Sequence, residues 1–423
     1  MDLGGSVFDG LMGISVYQGV RESKLVKKFL RLLEELNKQK PQFSKAVKQY
    51  RTICEILYQP EYEASLPDCL QDLILCDINV FTTASAHKQY DTLPQVVKHA
   101  AKGDLRALYA LSQVTSQQVK DWMSKRFPEK AEAIGQLGDY VNEQKHPGLT
   151  GCWQEQLETL AKFHEQNGIS LFTKYCAFYL ADGERVEPVR KFEPVSLTTL
   201  KKYELQKKQI TDNTLSFLHG KPANNVLLYG DRGTGKSTTV NGILTEYRSQ
   251  GLRMIQISKE DILRIHKVLE VIRQVPLRFI IFIDDLTFNE NDECFNTLKA
   301  VLEGSLNAMP ENALIYATTN RRHLIKETFS SREGDELHAS DTRDEIASLA
   351  DRFGLTVTFT KPNLSDFLEI VCEIAREREL SVDEETLRRG ANIFAMKKAS
   401  RSGRVARQYV DYVEGRLSLG LPL

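Results

Sequence analysis

The segment Gly230-Asp231-Arg232-Gly233-Thr234-Gly235-Lys236-Ser237 matches G-x-x-x-x-G-K-[ST] at every fixed position. Glycines at that spacing let the backbone curl so that successive N–H groups face an anion. Lys236 can then reach β- and γ-phosphates, and the Ser237 hydroxyl can ligate Mg²⁺. Thr238 follows directly and opens helical sequence. The expected ligands are ATP and Mg²⁺, bound through residues Gly230 to Thr238. GTP is disfavoured because the chain has no Asn-Lys-x-Asp string for reading guanine.

A second group of residues could act on the bound phosphates. The run Phe279 to Ile283 ends in Asp284-Asp285. Asp284 is the candidate metal ligand with Ser237, and Asp285 the candidate for orienting or deprotonating an attacking water. An aspartate here is one methylene shorter than a glutamate, so hydrolysis is more open to question than binding. Asn320, after Ala313 to Thr319, is a candidate γ-phosphate sensor; it could equally form an Asx turn before Arg321. Arg352 suits an arginine finger acting on a neighbouring subunit's ATP, the alternative being a surface arginine paired with Asp351 or Asp344. Arg404 is the candidate second sensor. It lies in a basic stretch, Lys397 to Arg407, whose competing reading is a nucleic-acid patch.

Positioning these groups requires a strand before the phosphate loop and a helix after it. Asn225 to Tyr229 and Thr238 to Leu244 have the right patterns. Further strands are expected at Met254 to Ser258, Phe279 to Ile283, Ala313 to Ala317 and Thr356 to Thr360, alternating with helical sequence as a parallel sheet covered on both faces requires. Ser365 to Gly415 reads as helices, the middle one opening on a capping box, Ser381 to Glu384. Upstream, residues 1–168 read as an all-helical domain, 169–197 as a connector with short strands, 198–362 as an α/β nucleotide-binding core and 363–423 as a helical lid.

Composition narrows the functional classes. The chain has 423 residues and a net charge of −1, so no global charge marks it for nucleic acid or an anionic membrane. Seven scattered cysteines fit a reducing compartment, and no apolar run is long enough to span a bilayer. A cytoplasmic protein with no membrane partner is expected. The histidines lack zinc spacing, and Trp122 and Trp153 lie in helical pattern as core or interface residues. The charged stretch Ser331 to Glu345 reads as a solvated loop, with a subunit or partner contact as the sharper alternative.

Taken in order, GDRGTGKS, FIIFIDDL, IYATTN, LADRFG and SGRVAR resemble the AAA+ ATPases, the ring-forming branch of phosphate-loop NTPases, over about residues 196 to 416. The double aspartate and DRFG look like the bacterial initiator and helicase-loader branch. The wider wording is similar to a bacterial family of predicted AAA+ ATPases of uncharacterised role, in which a helical region precedes the core. The resemblance implies a parallel five-stranded sheet of order 5-1-4-3-2, a helical lid, and a nucleotide site completed by a neighbour in a homo-oligomeric ring or open ring. It also places Tyr203 near adenine, although Tyr203 could instead be a packing residue. Three functions follow: an ATPase that remodels or loads a macromolecular partner, a low-turnover nucleotide-dependent switch, and a DNA-associated loader.

Overall fold

The computed structural model describes residues 4–288, 292–303, 309–320 and 351–422. The charged stretch Ser331 to Glu345 lies outside the described residues. Two compact units divide the chain, Met1–Lys174 and Tyr175–Leu423.

The first unit is built from helices, and its regularity follows from apolar spacing. Helix Lys24–Asn37, capped by Ser23 through the Val26 N–H, buries Leu25, Val26, Phe29, Leu32, Leu33 and Leu36 on one side. Helix Phe43–Leu57 adds Ala46, Tyr50, Ile53 and Leu57 to the same core. Trp153 is buried there and Trp122 packs against it. One buried carboxylate organises the entry of the chain: Asp104, on helix Gln95–Ser112, accepts the N–H groups of Ser15, Val16 and Tyr17 at 2.6–3.2 Å. Those amides begin a turn with no ladder of their own, and the carboxylate takes the place of the missing partners.

The second unit is centred on a seven-stranded sheet. Its strands are β1 (Ala177–Ala181), β2 (Arg185–Pro188), β3 (Val226–Gly230), β4 (Leu252–Ile257), β5 (Arg278–Ile283), β6 (Ala313–Thr319) and β7 (Leu355–Phe359). They lie in the order β2-β1-β4-β5-β6-β3-β7. Within it the five strands expected from sequence stand as β7-β3-β6-β5-β4, which is the order 5-1-4-3-2. The expectation of a five-stranded sheet is corrected: β1 pairs parallel to β4, and β2 folds back antiparallel on β1. The connector therefore extends the sheet, because its aromatic and β-branched residues on either side of Asp182-Gly183 form a hairpin.

The central strands are buried on both faces, which is why they read as continuous apolar runs: every residue from Phe279 to Ile283 is buried. One face, including Val226, Leu228, Ile280, Phe282, Tyr316, Val357 and Phe359, packs on helices Glu204–Leu218 and Lys236–Tyr247 through Ile210, Phe217, Val240, Ile243 and Leu244. The buried Tyr316 hydroxyl is satisfied by Thr214 at 2.8 Å and by Asn213. Helices Leu364–Glu377, Glu384–Lys397 and Gly403–Ser418 form a separate small core around Phe367, Val371, Ala391 and Val410. The middle helix is capped by Asp383, whose side chain accepts the Thr386 N–H, and not by a box starting at Ser381. Asp383 stands three residues before the amide it caps, which is the reach an N-cap needs.

Candidate functional site

The phosphate loop turns between β3 and helix Lys236–Tyr247, and its glycines have specific work. At Gly230 the backbone has φ 138°, and a Cβ there would lie 2.0 Å from the Phe359 carbonyl oxygen of β7. The Asp231 N–H donates to that same carbonyl at 3.0 Å. At Gly235 φ is 96°, and a Cβ would meet Leu200 Cδ1 at 2.2 Å. Only glycine allows both the turn and the close approach of these neighbours.

The loop borders a cavity of about 550 Å³. Arg232, Gly233, Thr234, Gly235, Lys236, Ser237 and Thr238 line one side, Asp284, Asp285, Thr318 and Asn320 a second, and Gly403, Arg404, Arg407, Gln408 and Asp411 a third. Leu200, Tyr203, Ile370 and Ile374 add an apolar portion. Gly230 and Asp231 contribute from beneath: their carbonyls accept from Lys236 Nζ at 2.9 and 2.8 Å. The third partner of this ammonium is Asn320 Oδ1 at 3.0 Å. Burial lowers the Lys236 pKa from its ordinary value, opposed by Asp285, Asp231 and Asp284, while Arg404 lowers it further.

Strands β5 and β6 end side by side, so the acids of one meet the polar end of the other. Asp284 Oδ1 accepts from Ser237 Oγ at 2.6 Å and from Thr318 Oγ1 at 2.5 Å. The Asp285 N–H donates to Thr318 Oγ1 at 2.9 Å, holding Asp285 in a left-handed conformation of φ 54°. Asn320 Nδ2 donates to Asp285 Oδ1. Thr318 was not singled out from sequence. It stands near the end of β6, two residues before Asn320, and an extended chain puts residues two apart on one face, which is the signal that could have found it.

A hydroxyl and a carboxylate at hydrogen-bonding distance are hard oxygen donors of the kind Mg²⁺ takes. Among the described residues no cluster of three or more His, Cys, Asp or Glu side chains could hold a metal alone. That fits an ion held by Ser237 and Asp284 with phosphate oxygens and water completing its shell.

The lid approaches the loop directly. Ser402 caps the last helix by accepting the Val405 N–H at 3.3 Å, and the Arg404 N–H donates to the Gly233 carbonyl at 3.3 Å. Arg404 thus stands beside the phosphate loop. Arg407, read from sequence only as part of a basic stretch, lines the same cavity; its position one helical turn beyond Arg404 carried that information. Two other expected residues have partners within the structure. The Tyr203 hydroxyl donates to the Thr360 carbonyl at 2.7 Å and its ring packs on Phe359, so Tyr203 borders the cavity as a packed residue, its pKa pushed up to about 12 by burial. Arg352 is absent from the cavity lining and pairs with Glu303.

The profile of a family described as "Protein of unknown function (DUF815)" matches residues 173–417. No curated protein matches the chain. Solved structures with a similar arrangement include the Thermotoga maritima RuvB Holliday junction branch migration motor, at 19% identity, 54% of this chain, 67% of that chain and a TM-score of 0.38. A point variant of the same RuvB gives 18% identity, the same coverage and a TM-score of 0.39.

Proposed function

This chain belongs to the DUF815 family, its core is of AAA+ type, and we propose that it binds ATP with Mg²⁺ and hydrolyses it to rearrange a macromolecular partner. The observation that carries this reading is the convergence of Lys236, the Ser237–Asp284 pair, the Asp285–Asn320 pair and Arg404 on one cavity. Lys236, Arg232 and Arg404 would hold the triphosphate. Ser237 and Asp284 would hold the metal, which neutralises charge on the phosphates when bound. Asp285 would orient or deprotonate the attacking water, and Asn320 would fix that water against the γ-phosphate.

We assign Arg352, which pairs with Glu303 and does not line its own subunit's cavity, to the ATP of a neighbouring subunit in an assembly. We assign the hold on the partner to the helical unit Met1–Lys174. Isothermal titration of ATP with and without Mg²⁺, followed by phosphate release from wild type, Lys236→Ala and Asp285→Asn, tests the reading. Absence of ATP binding by the wild type would overturn it.

A second reading, a low-turnover switch, is favoured by one feature. Asp285 is a short carboxylate in a left-handed conformation, already engaged by Asn320. Tight ATP binding with phosphate release no faster than in Asp285→Asn would establish this alternative.

A further inference from the structure

The last helix presents more than Arg404 to the cavity. Arg404, Arg407, Gln408 and Asp411 all line it, at spacings of three, one and three residues, so they form one continuous face about two turns long. The helix begins at the phosphate loop, where the Arg404 N–H meets the Gly233 carbonyl, and runs away from it. Asp411 therefore stands about 10 Å further along the axis than Arg404.

Its surroundings mark the other end of the site. Asp411 Oδ1 accepts from Arg378 Nη1 at 2.7 Å, and Arg378 follows directly on the helix that contributes Ile370 and Ile374 to the cavity. The two isoleucines give this portion an apolar wall suited to the flat face of a base. Asp284 and Asp285 are bonded to Ser237 and Asn320 at the phosphate end, which leaves Asp411 as the one carboxylate along the rest of the described lining.

A carboxylate lining an anion-binding cavity repels the ligand unless it is neutralised, and Asp411, its side chain 54% exposed, is open to a donor that enters the cavity. Arg378 supplies the neutralisation, and it is shared with Glu414 at 2.6 Å. Asp411 Oδ2 makes no hydrogen bond among the described residues. A carboxylate only accepts, so the group that meets Oδ2 must be a donor.

Resting on the reading that the cavity binds ATP, we propose that Asp411, held by Arg378, is a specificity residue that accepts a hydrogen bond from a donor on the nucleoside. The donors available there are the ribose hydroxyls and the exocyclic amine of adenine.

Affinities of full-length wild type and Asp411→Ala for ATP, 2′-deoxy-ATP, 3′-deoxy-ATP, purine riboside triphosphate and inorganic tripolyphosphate test this. Wild type should bind one analogue about tenfold more weakly than ATP, and which analogue it is separates sugar from base recognition. Asp411→Ala should bind ATP about tenfold more weakly than wild type and no longer distinguish that analogue. Its affinity for tripolyphosphate, which has no nucleoside, should be no weaker than that of wild type, which shows that the site is intact. Asp411→Asn, which keeps an acceptor oxygen, should recover part of the discrimination. Glu414→Gln, which alters the other partner of Arg378 outside the cavity, should behave as wild type. Equal wild-type affinity for all the nucleotides, or discrimination that persists in Asp411→Ala, overturns the proposal and leaves ATP binding standing. A wild type that binds no triphosphate overturns both.

Discussion

The ammonium of Lys236 donates a 3.0 Å hydrogen bond to Oδ1 of Asn320, and the amide of the same asparagine donates to Asp285. The group that would hold phosphate and the group that would orient water are thus joined through one side chain. Arrival of a γ-phosphate would compete for both ends of that link, because it offers Lys236 a better acceptor and Asn320 a new partner.

Replacing Asn320 by Ala should separate the two functions. ATP affinity should change less than threefold, since Lys236 loses one of three partners, while the hydrolysis rate should fall about 100-fold. Single-turnover hydrolysis together with equilibrium titration checks this. An equal loss in both would assign Asn320 to binding alone.

Lys236 also sets a pH dependence. Its folded pKa is lowered, chiefly by burial, so the protonated form it needs for phosphate is given up earlier than by an exposed lysine. ATP affinity should weaken as pH rises toward the ordinary lysine value of about 10.4. In that range binding should take up protons, measurable by titration calorimetry in buffers of different ionisation enthalpy. For folding the sign is the reverse of a stabilising ion pair. The depressed pKa penalises the folded state at pH values below it, and the penalty fades as pH rises from the folded toward the unfolded pKa.

Arg352 gives a complementation test. Lys236→Ala and Arg352→Ala should each abolish phosphate release alone, whereas an equimolar mixture should regain a measurable fraction, because mixed interfaces can pair an intact loop with an intact arginine. Release that stays at background would remove Arg352 from the site of a neighbour. Glu303→Gln removes the ion pair with Arg352 and should leave folding within about 1 kcal/mol of wild type, as for other partly exposed pairs.

Gly230→Ala should destabilise the Tyr175–Leu423 unit by more than about 2 kcal/mol in denaturant titration, since the added methyl would overlap the Phe359 carbonyl at a backbone angle that alanine rarely adopts. Asp104→Ala should cost the helical unit about 3 kcal/mol, because three amides near Val16 lose their acceptor together. Its ATP affinity should remain that of wild type.

Sequence exposed the chemistry of the site more fully than its packing. The phosphate loop, Asp284, Asp285 and Asn320 are readable because each sits at a strand end whose apolar run announces it. Residues defined by contact are less visible. Thr318 looks like an ordinary strand threonine until β5 and β6 are placed side by side. That Tyr203 packs on Phe359 and donates to the Thr360 carbonyl while bordering the cavity was not legible. Arg407 could be found from its helical spacing to Arg404, whereas Asp411 is brought to the cavity by the position of the lid. The β1–β2 hairpin was legible as two short strands, but its pairing with β4 joins segments that no local pattern connects.

That hairpin decides where the nucleotide-binding part of the chain can be cut. A fragment starting at residue 198, the boundary that motif content suggests, would leave the backbone of β4 without its neighbour and offer an open strand to other molecules. A fragment starting at Tyr175 keeps that edge covered and is the one expected to remain monodisperse when expressed by itself.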